Sequence, residues 1–191
     1  MAVTTELVKE LRARSGAGVM DCRRALEEAG GDLDRAAELL RAKGLAAAAK
    51  RAGREASEGL IEAYVHAGSR LGALVELNCE TDFVARTEEF KRLARELAMQ
   101  VAAASPRFLA TEDIPADVLA QQRGVIAGEA GRASDAEIDR RLQQWVQEVV
   151  LMEQPYIRDA GRRVGDLVTD AAARTGENVR VRRFARFKLG E

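Results

Sequence analysis

Histidine, cysteine, proline and aromatic residues are all scarce in this chain, and each scarcity excludes something. A single histidine, His66, stands among 191 residues. A Cys–His or Ser–His–Asp catalytic site would therefore have to be built on that one imidazole. The two cysteines, Cys22 and Cys79, lie far apart and form no CxxC pair. That pattern predicts neither a disulfide framework nor a zinc site, and fits a reducing compartment, the cytoplasm. No run of about 18 apolar residues occurs, so no membrane span is expected. The opening MAVTTELVKELR puts charges where a secretory signal needs an apolar centre, so export is not expected either. With five Phe, two Tyr and one Trp, every aromatic side chain that reaches water needs a reason.

Charge is present in both signs, with a net of −1. Residues 55–160 carry 11 basic against 19 acidic side chains, while residues 1–54 and 177–191 each carry a basic excess. A protein whose main partner is nucleic acid ordinarily shows a stronger basic bias. Patches of both signs favour a protein partner.

Along the chain, residues 1–54 read as three short amphipathic helices and a linker. Thr4 caps the first, with Leu7, Val8 and Leu11 at helical spacing up to the breaker SGAG at 15–18. The second runs from Val19 to Ala29 with Met20, Cys22, Ala25, Leu26 and Ala29 as its apolar set. Asp32 caps the third, and LAAAAKRAGREASEG reads as a helical linker leaving the bundle. From Gly59 the apolar period changes to two. Strands at about 58–66 and 71–79 form a hairpin around the turn sequence AGSR. Thr87 then caps a long helix with the stripe Phe90, Leu93, Ala94, Leu97, Ala98 and Val101. A short strand is expected at Phe108–Ala110, a glycine-weakened helix after it, and another opening on Ser134 and Glu137 as a capping box. QPYIRD reads as a breaker, Val164–Thr175 as a helix, and NVRVRRFARFKL as a last strand with a bulge at Arg182-Arg183. The fold class is α+β: an N-terminal three-helix bundle over residues 1–54, then an α+β core over 55–191 with a small antiparallel sheet packed by helices.

The stretch ETDFVART at 80–87 puts the aromatic Phe83 beside Asp82 at the hinge between strand and helix. Two placements are open: Phe83 folds into its own core while Asp82 caps a turn, or the ring points outward as a wedge for a partner's pocket. RVRRFARFK at 180–188 interleaves bases and aromatics, as RNA-stacking strips do. An edge strand with Phe184 and Phe187 inward and its arginines in water or blunting the edge is the simpler explanation. Cys79 and His66 lie on paired strands, yet no third group or oxyanion loop accompanies them. Cys22 reads as a core residue. SGAG lacks the GxxxxGK[ST] spacing and a preceding strand, so it reads as a helix–helix turn.

ELNCETDFVAR at 76–86 resembles the signature of the elongation factor Ts family, the exchange factors of elongation factor Tu. LRARSGAGVMDCRRAL at 11–26 resembles its N-terminal signature, and EQPYIRD and VRRFARFKLGE are similar to its endings. Arg23 stands where the family usually has lysine, which keeps the charge and changes its geometry. The resemblance implies an N-terminal module similar to ubiquitin-associated domains, with Arg12, Val19 and Met20 at positions that contact the G domain of the GTPase. It implies that Asp82 and Phe83, flanked by Thr81 and Val84, push toward the magnesium site of that GTPase. It further implies no enzyme activity or cofactor for this chain, a nucleotide held by the partner, and a homodimer, because only one core unit is present. Three other readings compete: an RNA-binding accessory using the basic tail, an enzyme using Cys79 or His66, and an adaptor using the bundle alone.

Overall fold

Side-chain caps start most of the helices where the residue types place them. The computed structural model describes residues 3–131 and 134–191. Thr4 caps α1 (Thr5–Ser15), and α2 (Val19–Glu28) follows the glycine turn. Asp32 caps α3 (Leu33–Arg51), accepting from the amides of Asp34 and Arg35. Each such cap contributes about 1 kcal/mol. These three helices close around Val8, Leu11, Cys22, Ala25, Leu26, Ala29 and Ala36. Met20 does not join that core and is 62% exposed. Cys22, Ala25, Leu26 and Ala29 already fill the inward arc of α2, and Met20 falls on the opposite side of the turn. The first half of the expected helical linker is helix, continuous with α3, which runs unbroken to Arg51. The second half of α3 lies on a later helix, where a Cβ on Gly44 would stand 3.0 Å from that of Ala173.

The hairpin forms as expected. β1 (Glu58–Val65) pairs antiparallel with β2 (Leu71–Cys79), which also pairs with β5 (Arg180–Lys188), giving the order β1-β2-β5. Gly59 sits at the start of β1 with φ 146°, and a Cβ there would be 2.1 Å from the carbonyl oxygen of Leu77. Only glycine fits that approach. The register shifts at Glu76/Leu77, where Glu76 faces Arg183 and Leu77 faces Val181, leaving Arg182 as the extra residue of a bulge. Beyond it Phe184 packs against the core, but Phe187 is 68% exposed. Residues three apart in a strand point to opposite faces, so both rings could not turn inward.

One face of the sheet is covered by α5 (Glu88–Ala104), whose Phe90, Leu97 and Val101 share one core with Ala73, Val75 and Leu77, and α8 (Val164–Thr175) packs against α3 and α5 and joins that core through Val168. Ile61, Val65, Leu74 and Phe187 are exposed, and the pairings put them together on the other face. α6 (Ala116–Ala130) and α7 (Asp135–Val149) pack on one another as a hairpin of helices. The strand expected at Phe108–Ala110 reduces to one bridge between Phe108 and Val150. QPYIRD at 154–159 does follow the end of α7 at Val149, and its residues also enter a small hairpin that the sequence did not announce, β3 (Pro155–Tyr156) and β4 (Asp159–Arg163). It has too few residues and too little apolar alternation to be legible. It is held by buried Gln100, whose amide donates to Gln154 Oε1 and the Pro155 carbonyl and whose oxygen accepts from the Ile157 amide.

Candidate functional site

The hinge after β2 is a single helical turn, α4 (Asp82–Ala85). One turn is marginal alone, because nucleation fixes several dihedrals for one hydrogen bond. Here it is held at both ends. The Thr81 hydroxyl accepts from the Val84 amide at 3.4 Å, and the Thr87 hydroxyl donates to the Val84 carbonyl at 2.8 Å. Val84 and Ala85 are buried in the main core, so the turn is pinned by its inner side. Phe83, immediately before them in the turn, is 78% exposed. Of the two placements open in the sequence, the outward one is the structure's. Asp82 is exposed and pairs with Arg86 at 2.6 Å. The side chain of Val84 faces the interior and that of Thr81 bonds to Glu177, while Asp82 and Phe83 point into water.

In the bundle, Arg12 lies in the last turn of α1 and Val19 and Met20 begin α2, on either side of the Gly16–Gly18 turn. All three are exposed, Val19 at 52%. Arg23 is exposed and paired with Glu27 at 3.1 Å.

Cys79 and His66 do not meet. The His66 amide bonds to the Leu71 carbonyl at the turn end of the hairpin, eight residues along β2 from Cys79, or about 26 Å at strand rise. The Cys79 thiol is buried and donates to the Thr81 carbonyl at 3.1 Å. Burial first, and the neighbouring Glu177 carboxylate second, push its pKa up to about 11 from 9.0. A raised pKa favours the protonated form in the fold. Any stability from Cys79 is therefore complete below about pH 9 and is lost as pH climbs toward 11. Iodoacetamide at pH 8 should leave Cys79 unmodified in the native protein and label it once unfolded, read by peptide mass spectrometry. Rapid native labelling would contradict this environment.

The basic–aromatic stretch at 180–188 does not offer a stacking strip. Arg183 pairs with Glu76 at 2.6 Å, Arg186 reaches the Ala102 carbonyl and Glu191, Lys188 pairs with Glu191, and Phe184 is tucked against the core. The large cleft of about 750 Å³ between the bundle and α8 is lined by arginines and small residues, without a nucleophile–base pair. Among the described residues no group of three His, Cys, Asp or Glu side chains is placed to hold a metal, and no helix is long and apolar enough to cross a membrane. Residues that sequence reasoning missed are Glu177 and Asn178, which hold the base of the exposed turn from about a hundred residues away. No local pattern announces them.

The fold and this site define an α+β protein with an anchored aromatic corner held in water. The protein-family model described as Elongation factor TS matches residues 47–191. Elongation factor Ts of Carboxydothermus hydrogenoformans is 52% identical over 195 residues, covering 99% of this chain and 90% of that protein. That of Caldanaerobacter subterraneus subsp. tengcongensis is 50% identical over 99% of this chain and 98% of its own length. That of Anaeromyxobacter dehalogenans is 49% identical over 99% and 89%. The chain belongs to the elongation factor Ts family.

Proposed function

We propose that this protein is the guanine nucleotide exchange factor of elongation factor Tu, and that it works by pushing Phe83, with Asp82 beside it, toward the magnesium and phosphate site of the GTPase. The observation that carries the reading is the large ring held in water on a turn whose neighbours are anchored inward. Thr81 and Val84 serve this contact by position, since their side chains brace the turn from within. Arg12, Val19 and Met20, exposed on the bundle of residues 1–54, grip the G domain, and the core of residues 55–191 carries the wedge. The bundle is of the ubiquitin-associated kind that the family resemblance implies.

Such a factor makes and breaks no covalent bond and needs no cofactor. It binds the nucleotide-free GTPase more tightly than the GDP form, and GDP binding is weakened by the same factor. Speeding release by three to five decades asks for roughly 4–7 kcal/mol. Burial of the Phe83 ring supplies only about 1.5–3 kcal/mol. A broad interface must therefore anchor the complex, with the wedge directing part of its energy into distortion of the nucleotide site. The workplace is the cytoplasm, where the GTPase is. The test is a mixing experiment: elongation factor Tu loaded with fluorescent GDP, excess unlabelled nucleotide, and this protein. Accelerated loss of fluorescence supports the reading, and release at the unassisted rate overturns it.

A homodimer belongs to the same reading. The uncovered sheet face, with Ile61, Val65, Leu74 and Phe187 exposed, supports association with a second copy through that face. Phe187→Glu should raise the dimer dissociation constant about tenfold in sedimentation, on the scale of one buried ring lost. A wild type that sediments as a monomer at tens of micromolar would remove the dimer.

A further inference from the structure

The turn between α8 and β5 touches two segments that are remote in sequence. Gly176, left-handed at φ 73°, ends α8 and aims the next two residues at the end of β2. Glu177 Oε2 accepts from the amides of Glu80 and Thr81, both at 3.0 Å, and its Oε1 accepts from the Thr81 hydroxyl at 2.6 Å. Glu80 answers: its Oε1 accepts from the Asn178 amide at 2.7 Å, and its Oε2 lies 3.5 Å from Arg54. The Asn178 side chain, buried, donates to the carbonyls of Ala52 at 3.2 Å and Arg54 at 2.7 Å. One residue thus holds the loop that launches the Phe83 turn, and the next holds the exit of α3 from the bundle.

We propose that Glu177 and Asn178 form a clamp that positions both partner-facing elements against the core, Glu177 setting the take-off of the Phe83 turn and Asn178 setting the bundle. The inference rests on the exchange reading above. At 78% exposure little packing orients the Phe83 ring, so its direction follows that of the α4 backbone. The Thr81 hydroxyl gives its proton to Glu177 and keeps its lone pair for the Val84 amide, so the carboxylate orients the cap that starts the turn. A wedge can transmit force only if its base does not yield. Three hydrogen bonds to an ionised carboxylate, stronger than neutral ones, supply that stiffness.

The test uses the full chain with Glu177→Gln, nearly isosteric, and Asn178→Ala. Gln has one acceptor oxygen where the carboxylate has two, so its amide group cannot satisfy all three donors. At saturating factor, Glu177→Gln should slow maximal GDP release about tenfold, the scale of one charge-assisted hydrogen bond, with the half-saturating concentration little changed. Asn178→Ala should do the reverse, raising the half-saturating concentration several-fold at an unchanged maximal rate. A merely structural role would move both quantities together with the melting temperature. Without any partner, amide exchange at residues 81–86 should quicken about tenfold in Glu177→Gln. If wild type accelerates release and Glu177→Gln matches it at saturation, the clamp is wrong. Failure of wild type itself to accelerate release strikes the exchange reading instead. The amide-exchange comparison then still decides whether Glu177 holds the turn, and unchanged protection would overturn that as well.

Discussion

Phe83→Ala should slow factor-stimulated GDP release by one to two decades while leaving the factor's own melting temperature unchanged. The first half follows from the ring's burial in the partner, about 1.5–3 kcal/mol at 1.4 kcal/mol per decade. The second follows from its 78% exposure: removing it opens no cavity in the monomer. Stopped-flow release at saturating factor measures the first and thermal unfolding the second. The combination is diagnostic, because a residue of the core cannot lose function without losing stability. Release at the wild-type maximal rate would end the wedge. A fall in melting temperature matching the fall in rate would mean that the ring is part of the fold.

Phe90→Ala should give the opposite pair of results. Seven residues further on, the same side chain is 1% exposed and packed among residues of α5, α8 and the sheet. Truncation leaves a cavity and costs about 3–5 kcal/mol, a large share of the roughly 5–15 kcal/mol that a domain holds in total. The melting temperature of the core should fall by about 6–20 °C at some 2–4 °C per kcal/mol. Urea unfolding followed by circular dichroism checks it. The bundle has a separate apolar cluster around Leu11, Cys22 and Leu26, so fluorescence of the one tryptophan, Trp145 on α7, follows unfolding of residues 55–191 without a contribution from the bundle. A loss below about 1 kcal/mol would mean that the site collapses and refills, contrary to a packed core.

The two phenylalanines show where sequence reasoning reaches. Phe90 was legible: it recurs with Ala94, Leu97, Ala98 and Val101 at helical spacing behind the Thr87 cap, and a stripe with one apolar side has to be buried. The caps at Thr4, Asp32, Thr87 and Ser134, the hairpin and the bulge at Arg182 were legible for the same reason, since each depends on neighbours within a few residues. The signature at 76–86 pointed to the right family. Phe83 was not legible, because one ring in a one-turn helix has no period. Hydrophobicity places Met20 in the apolar set of its helix and offers an inward Phe187 as one of two readings, and the crowded inner arc of α2 and the strand alternation turn both side chains out. The small hairpin at 155–163 is stabilised by buried Gln100 on another helix, so its own residues carry no strand pattern.

By itself, then, the sequence determined most of the element types and their starts, the α+β class and the family, all of which depend on local spacing or on short motifs. Only the tertiary structure decided which apolar side chains are left outside, and that Glu177 and Asn178 reach back to residues 80–81 and 52–54. The reason is physical. Periodicity says which residues share a face of an element, while exposure depends on whether another element comes to cover that face. Contacts across 96 to 126 residues leave no trace in the spacing of either end.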